Sequence, residues 1–521
     1  MMSLDDLLRA MRSSSGGDAG GPSASTFPIT GVSYDSRTVE PGHIFVAIKG
    51  THVDGHRFIP QAVQRGAMAI VYQDPAAVVD VEGPALVQVP NSRVALSPIA
   101  ATFYGHPGVE LRVVGVTGTK GKTTTSTLCA HVLDAEGHRS GLMTTADFKI
   151  GSHWQENTTR QTTPEALEVQ AMLREMADAG CDYAVIEASS HALSASWNRL
   201  GDCQFDVAVF TNVTHEHLDY HGTVEQYRRD KARLFELLSA STATTGECKQ
   251  RKVAIVNLDD PHADLYLQAA GPAVEKLTYA IENTSAAIRA VDIKSAPDGT
   301  TYTAVTPWGN VEIHLRLPGL FNVLNSLAAL TVGLSEGISP AACSAALAGV
   351  AGVTGRMERV DAGQPFTVIV DYAHNPDSFD KVMAMLRPLT TGHLIAVFGS
   401  AGERDRQKRP IQGRIAGQYC DLLVITDEDP RDEDPEAILE EIAVGAREAG
   451  KREGEGYLKI ADRAAALRAA FEHARPGDIV MLLGKGHESC IYYENGRKLP
   501  WLERAEAERI LREMGYGSGN T

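Results

Sequence analysis

The sequence predicts an α/β protein of three domains. A small mixed N-terminal α/β domain spans 1–108. A central P-loop-type domain on a mostly parallel sheet spans 109–350, and a C-terminal Rossmann-like α/β domain spans 351–521. Three observations carry this. The 521 residues exceed one compact domain and set an expectation of about three or four. Apolar runs of strand length recur and end in polar residues, the pattern of buried parallel strands with a site at their carboxyl ends. One such run passes through a glycine-rich turn directly into an amphipathic helix.

Residues 14–25 are rich in Ser, Gly and Ala and read as a flexible stretch. "GVSYDSRTVEPGHIFVAIKG" then reads as short strands around a Pro-Gly turn, in a domain that ends near "GHPG" at Gly105–Gly108. "LRVVGVTGTKGKTTTSTLCAHVLDAEG" opens the central domain, and "DYAVIEASS", "FDVAVFTNVTHEH" and "KVAIVNLDD" supply further buried strands. Residues 286–317 alternate and carry turn residues, as in an antiparallel hairpin region. "NVLNSLAALTVGLSEGIS" and "PAACSAALAGV" read as helix. In the last domain the strands are "FTVIVDYA", "HLIAVFGSA", "DLLVITDED" and "DIVMLLGKG", and "AREAGKREGEGYLK" reads as a charged surface linker. No repeat of solenoid period occurs.

Composition removes several function classes. Hydrophobic residues make up 43%, enough for ordinary cores, and 49 basic against 66 acidic residues give a net charge of -17. That argues against wrapping nucleic acid or an anionic membrane, but allows an anionic substrate in a locally basic pocket. Seven cysteines, with no C-x-x-C pair, read as reduced cytosolic thiols rather than a disulfide frame or zinc site. The N-terminus lacks an apolar signal-peptide core, and no 18-residue apolar run suggests a membrane span.

"VTGTKGKTTT" is the strongest chemical signal. Gly115, Gly118 and Gly121 let backbone N–H groups and a helix N-terminus approach a polyphosphate. Lys122 adds positive charge at the β/γ-phosphates, and Thr123 offers a hydroxyl to Mg²⁺. A plain Gly/Thr turn is the competing reading, and the flanking strand and helix weigh against it. Glu187 in "VIEASSHAL" and Glu216 and His217 in "TNVTHEHLDYHGT" stand at strand ends, with Lys231 on a helix soon after. Carboxylate and imidazole near a phosphate loop suit Mg²⁺ that also holds phosphate oxygens. Taken singly, His215, His221 and Lys231 would be structural or solvated residues. In "TTPE", Thr163-Pro164-Glu165 is also a good helix start with Pro first. "TDEDPRDEDP", Thr426–Pro435, crowds acids around one arginine at the end of the strand "LLVIT". It is either a solvated acidic turn or a pocket for a ligand carrying both an ammonium and a carboxylate.

"TGTKGKTTT" resembles the ATP loop of the Mur ligases and the related folylpolyglutamate synthetases, which activate a carboxylate as an acyl phosphate and couple it to an amine. Lys120 stands where most Mur ligases have asparagine. The likeness runs in order from about residue 30 to residue 510. It implies ATP contacts from Gly118, Thr119, Lys120, Gly121, Lys122, Thr123 and Thr124. Further ATP contacts would come from Asn322 and Asn325 in "LPGLFNVLNSLAA", Arg356 in "GRMERV", and Asp371 and His374 in "DYAHNPDS". It implies two Mg²⁺ sites, the first served by Thr123 and Glu187, the second by His217 and a carbamylated Lys231. Lys122, Lys231, His217 and Arg356 would be the catalytic groups.

"YDSR" and "DGHRFI" resemble the branch of the family that extends a UDP-muramoyl dipeptide. That likeness implies substrate contacts from Ser36, Thr162, Thr163, Ser190 and Arg199. Matching Arg199 needs a gap, because its segment is about two residues longer than is common in the family. Arg404, Asp429, Pro430, Arg431, Gly484 and Glu488 match the positions that hold the added amino acid. Many members that use meso-diaminopimelate carry Asp-Asn-Pro-Arg; here the turn reads Glu428-Asp429-Pro430-Arg431. Arg431 favours meso-diaminopimelate, whereas Asp429 favours a ligand ending in a bare ammonium, such as L-lysine or L-ornithine. Alternatively, Asp429 pairs with Arg404 or Arg431 and orients it.

The implied activity is ATP-dependent ligation of a diamino acid to the D-glutamyl γ-carboxylate of UDP-N-acetylmuramoyl-L-alanyl-D-glutamate, with closure of Arg356, Arg404 and Arg431 over the site. That places the chain in the bacterial cytoplasm, as a monomer, in peptidoglycan precursor synthesis and so in cell shape and division. The rival readings are another amide ligase of the Mur or folylpolyglutamate type, and a non-catalytic P-loop nucleotide-binding protein.

Overall fold

In the computed structural model, residues 28–50, 53–159, 161–214, 218–240 and 251–517 are described. His217, Glu216 and the Ser/Gly/Ala-rich stretch lie outside them. The chain forms two compact units. The first takes the chain through Ala290 together with Ala304–Val311 and Leu324–Ala346, and the second holds Val291–Thr303, Glu312–Val323 and Leu347–Thr521.

The first unit contains two sheets. Strands Gly31–Ser33, His43–Val46, Ala69–Tyr72 and Ala85–Gln88 pair in chain order, all parallel. Their apolar side chains pack with the helix Ser92–Phe103. The large sheet is centred on Arg112–Thr117, which lies between Val207–Phe210 and Tyr183–Glu187, both parallel to it. Val253–Asn257 and Glu275–Ala280 continue it on one side and Ser140–Met143 on the other, again parallel. Strands this apolar, such as Val253–Asn257 with every residue buried, need cover on both faces, which parallel sheets receive from helices. Antiparallel strands Asp147–Ile150 and His153–Glu156 close one edge. The alternating segment at 286–317 forms the strands Ile288–Ala296, Gly299–Val305 and Val311–Leu315, the larger part of which belongs to the second unit.

The second unit holds a six-stranded sheet in the order Glu358–Val360, Thr367–Asp371, Ile479–Leu483, Leu394–Phe398, Leu422–Ile425, Tyr457–Lys459. All pairs but the first are parallel. The strands expected from the sequence are four of these. Part of the expected charged linker is the end of the helix Pro435–Glu448 and the strand Tyr457–Lys459. That strand is short and lies at the sheet's edge, so its apolar signal is weak. Because Leu394–Phe398 separates Ile479–Leu483 from Leu422–Ile425, the segments that follow those two strands emerge at the same end of the sheet, one strand apart.

Candidate active site

The phosphate loop links Arg112–Thr117 to the helix Lys122–Leu133. Two glycines are required by geometry. Gly118 has φ of 152°, and a Cβ there would lie 1.9 Å from Thr211 Oγ1. Gly121 has φ of 84°, and its Cβ would lie 2.3 Å from Asn325 Oδ1. The loop is anchored from the neighbouring strand end: the Thr119 and Lys120 N–H groups donate to Asn212 O and Oδ1 at 2.7 and 3.0 Å. Thr211 Oγ1 donates to the Lys120 carbonyl at 2.8 Å. The Lys122 ammonium donates to the Thr119 carbonyl at 2.9 Å, which folds it back over the loop. Thr124 is buried in the helix's first turn.

Thr123 Oγ1 donates to Glu187 Oε2 at 2.9 Å. The same carboxylate oxygen accepts from the Thr145 N–H and hydroxyl at 2.9 and 3.0 Å. Thr145 Oγ1 in turn lies 3.1 Å from Thr162 Oγ1. Hard oxygen donors at the end of a phosphate loop fit Mg²⁺. Among the described residues no three His, Cys, Asp or Glu side chains cluster as metal ligands. Lys231, in the helix Val224–Ala240, is buried and donates to the Gly118 carbonyl at 2.6 Å, with its ammonium over the Tyr227 ring. The chain thus brings Lys231, Thr123 and Glu187 to one loop.

Residues assigned to the sugar-nucleotide substrate are mostly engaged with protein groups. Thr163 Oγ1 donates to the Glu187 carbonyl at 2.8 Å and accepts from the Ser189 N–H at 3.1 Å. The helix after it begins later than the sequence suggests, at Ala166, with Glu165 at the N-cap position but no side-chain cap. The Glu165 carboxylate is instead taken by Arg93 and Arg199, at 2.5 and 2.7 Å. Arg199 also donates to Gln161 Oε1 and the Thr163 carbonyl, both at 2.7 Å. Ser190 Oγ lies 3.0 Å from His221 Nε2, whose Nδ1 lies 2.6 Å from Asp230 Oδ2. Ser36 is buried and donates to Gln61 Oε1 at 2.8 Å.

In the second unit Asp371 ends a strand and accepts from the Met357 and Ala373 N–H groups, both at 2.8 Å. Arg356 stacks on Tyr372, 4.6 Å from its centroid, and lies 3.4 Å from His487 Nδ1. Burial, reinforced by the Arg356 charge, pushes the His487 imidazole down to about 3, so it is neutral beside the guanidinium. The His374 ring packs against Tyr372, centroids 4.7 Å apart. "HNPDS" is a helix start rather than a simple turn: Asn375 forms a capping box with Ser378, and Pro376 opens the helix Pro376–Leu386. Asn322 Nδ2 donates to the Pro318 carbonyl at 2.8 Å. Asn325 belongs to the first unit, under Gly121, so these two asparagines serve different units.

The acidic run divides into two parts. Asp434 N-caps the helix Pro435–Glu448, an ordinary helix start. Asp427, Glu428 and Asp429 are buried, which excludes a solvated turn. Asp429 pairs with neither Arg404 nor Arg431. Its Oδ1 accepts from the Lys485 ammonium at 2.8 Å and from the Tyr492 N–H at 3.0 Å. Lys485 also donates to Glu488 Oε2 at 2.6 Å, and Tyr372 donates to Glu488 Oε1 at 3.3 Å. Burial opposes the Lys485 charge, but the Glu488 and Asp429 carboxylates outweigh it and hold the ammonium above the usual lysine range. Gly484, at φ of 101°, lies where a Cβ would come within 2.7 Å of Glu428 Oε2. Burial raises the Glu428 carboxyl. Arg431 has φ of 56°, and its N–H donates to the Tyr492 carbonyl at 2.9 Å. Arg404 is exposed.

Sequence reasoning missed Thr145, which no motif marks, and Lys485, which does have a signal. A lysine one glycine beyond an apolar strand and three residues before Glu488 needs an anion if it is buried.

Three family models match in order: "Mur ligase family, catalytic domain" over residues 28–104, "Mur ligase middle domain" over 116–333, and "Mur ligase, glutamate ligase domain" over 355–486. A protein of Roseiflexus sp. (strain RS-1), named UDP-N-acetylmuramyl-tripeptide synthetase, is 61% identical over 489 residues, covering 94% of this chain and 96% of its own. One of Geobacter metallireducens, named UDP-N-acetylmuramoyl-L-alanyl-D-glutamate--2,6-diaminopimelate ligase, is 41% identical over 500 residues, 94% of each chain. A solved structure under that same ligase name superposes with a TM-score of 0.66 at 32% identity, over 94% of this chain and 96% of that one.

Proposed function

Because this chain belongs to the Mur ligase family, we propose that it is an ATP-dependent, ADP-forming ligase that joins a diamino acid to the D-glutamyl γ-carboxylate of UDP-N-acetylmuramoyl-L-alanyl-D-glutamate. The observation that carries the reading is the contact of Thr123 with Glu187 at the end of a phosphate loop whose glycines cannot be replaced without a clash. The loop's N–H groups other than those of Thr119 and Lys120, with Lys122, bind and orient the polyphosphate, and they offset the charge that moves as the γ-carboxylate attacks the γ-phosphoryl group and ADP leaves. The acyl phosphate is then attacked by the α-amine of the diamino acid, and the tetrahedral adduct collapses to amide and phosphate. Thr123 and Glu187 would hold one Mg²⁺, and His217 with a carbamylated Lys231 a second; the ions would supply Lewis-acid neutralisation of phosphate charge. Carbamylation would turn Lys231 from a donor on the Gly118 carbonyl into an anionic oxygen ligand that keeps one N–H.

Asn325, Asp371, His374 and Arg356 serve ATP in this reading, and Ser36, Thr162, Thr163, Ser190 and Arg199 serve the sugar nucleotide. Arg404, Pro430, Arg431, Gly484 and Glu488 surround the diamino acid. The guanidinium of Arg431, with no ion pair among the described residues, favours meso-diaminopimelate over L-lysine or L-ornithine, since it can pair a distal carboxylate. We place the domain boundaries near residues 108 and 350 and the enzyme in the bacterial cytoplasm as a monomer. Among the described residues, no helix is long and apolar enough to cross a membrane.

The test is phosphate release with ATP, Mg²⁺ and the UDP-muramoyl dipeptide, offering meso-diaminopimelate, L-lysine and L-ornithine separately. Turnover that depends on meso-diaminopimelate is the expected result. Release that needs no amine would return the chain to the nucleotide-switch reading.

A further inference from the structure

An aspartate beside a ligand carboxylate repels it, and Asp429 is buried beyond the end of the strand Leu422–Ile425. The surrounding charges remove that conflict. The Lys485 side chain is fully buried, and its ammonium is shared between Asp429 Oδ1 and Glu488 Oε2, 2.8 and 2.6 Å away. The Tyr492 N–H holds the same Asp429 oxygen, and the Gly402 N–H donates to the Asp429 carbonyl at 2.8 Å. Asp429 is thus tied on both its side chain and its backbone. Among the described residues, Arg431 is tied through its backbone, to the Tyr492 carbonyl. Two carboxylates share one ammonium, so the Lys485 charge is already spent inside the protein; the nearby Glu428 carboxylate has Lys408 and Arg463 as further positive neighbours. The cluster itself leaves one negative charge over for a ligand, and the ligase reading supplies Arg431 as the positive group.

We propose that Lys485 is the positioning residue that sets amino-acid specificity: by holding Asp429 it cancels that charge, so the pocket selects a diamino acid whose far end carries both a carboxylate and an ammonium. The proposal rests on the ligase reading above and names the substrate class for it. Without Lys485, both carboxylates would be left without the ammonium that holds them. The pocket would then repel a carboxylate and accept a bare ammonium. Without Asp429 as well, the balance of one positive and one negative group returns.

The experiment uses the full chain with saturating ATP and UDP-muramoyl dipeptide, and measures kcat and KM for meso-diaminopimelate and for L-lysine. The variants are Lys485→Gln, Asp429→Asn and the double substitution. Lys485→Gln is expected to raise KM for meso-diaminopimelate by on the order of 10–100-fold while KM for ATP stays in place, and to shift preference toward L-lysine. The double variant recovers most of that loss, because the two positions are coupled. Asp429→Asn alone raises the preference for meso-diaminopimelate further, which keeps the test open if Lys485→Gln does not fold. Equal KM values in Lys485→Gln and the double variant, or an unchanged preference in Asp429→Asn, overturn the role of Lys485. Wild-type protein that turns over with L-lysine alone also overturns it. Wild-type protein inactive with every diamino acid overturns the ligase reading itself, and the role with it.

Discussion

Lys231 donates a 2.6 Å hydrogen bond from a helix to the carbonyl of Gly118, the first residue of the phosphate loop's tight turn. The side chain is buried against the loop it holds. Lys231→Ala removes both the loop contact and the oxygen ligand that carbamylation would supply. Activity should fall by on the order of 10²-fold or more, and short carboxylates added to the assay should restore part of it. A fully active Lys231→Ala variant would rule the carbamate out.

Lys122 lies folded onto the Thr119 carbonyl, a contact that a bound polyphosphate would replace. Lys122→Ala should cost on the order of 10²–10³-fold in kcat, the scale for losing one preorganised donor. Thermal melting of the variant should stay close to wild type, since the Thr119 contact it loses is a partly buried hydrogen bond and not core packing. Retained turnover would move the phosphate charge balance elsewhere.

Gly121→Ala puts a methyl group 2.3 Å from Asn325 Oδ1 in a backbone of positive φ. Strain of about 1–3 kcal/mol is expected, and nucleotide binding should weaken, measured by ATP titration calorimetry. Adding Asn325→Ala should relieve the clash but not the backbone strain, so recovery should be partial. Complete recovery would show that φ is not the constraint.

Asp427 supplies a pH signature. Burial pushes its carboxyl up to about 6 from a usual value of 3.8, and one of its oxygens is buried without a hydrogen-bond partner. A folded-state value above the unfolded one means folding favours the protonated form. That contribution is complete below the unfolded value and is lost as pH rises through about 6. Asp427→Asn cannot ionise, so its stability advantage over wild type should grow by about 2–3 kcal/mol between pH 4 and pH 7. Melting curves of both proteins across that range provide the check; a constant difference contradicts the assignment.

Local pattern made much of the machinery legible. The strand, glycine turn and helix around Lys122 are contiguous, so spacing alone marks a phosphate site. The apolar strands ending at Glu187 and Asp371 announce themselves by length and by the polar residue that follows. By contrast, the helix start at Ala166 was misplaced by two or three residues. Local rules favour Thr163 as a cap, but Glu165 is drawn into ion pairs with Arg93 and Arg199, which are distant in sequence.

By itself the sequence determined the α/β class, the order of the strands along the chain, the phosphate loop and the presence of an arginine among acids at a strand end. Only the tertiary structure decided which cation Asp429 meets. Arg431 is two residues away and Arg404 is in a neighbouring turn, while Lys485 is 56 residues further on. The strand order places the segments after Leu422–Ile425 and Ile479–Leu483 on either side of Leu394–Phe398 at one end of the sheet. A buried ammonium must find anions there, since desolvation makes an unpaired charge untenable. Pairing of that kind depends on crossover connections, and those leave no trace in the spacing of residues along the chain.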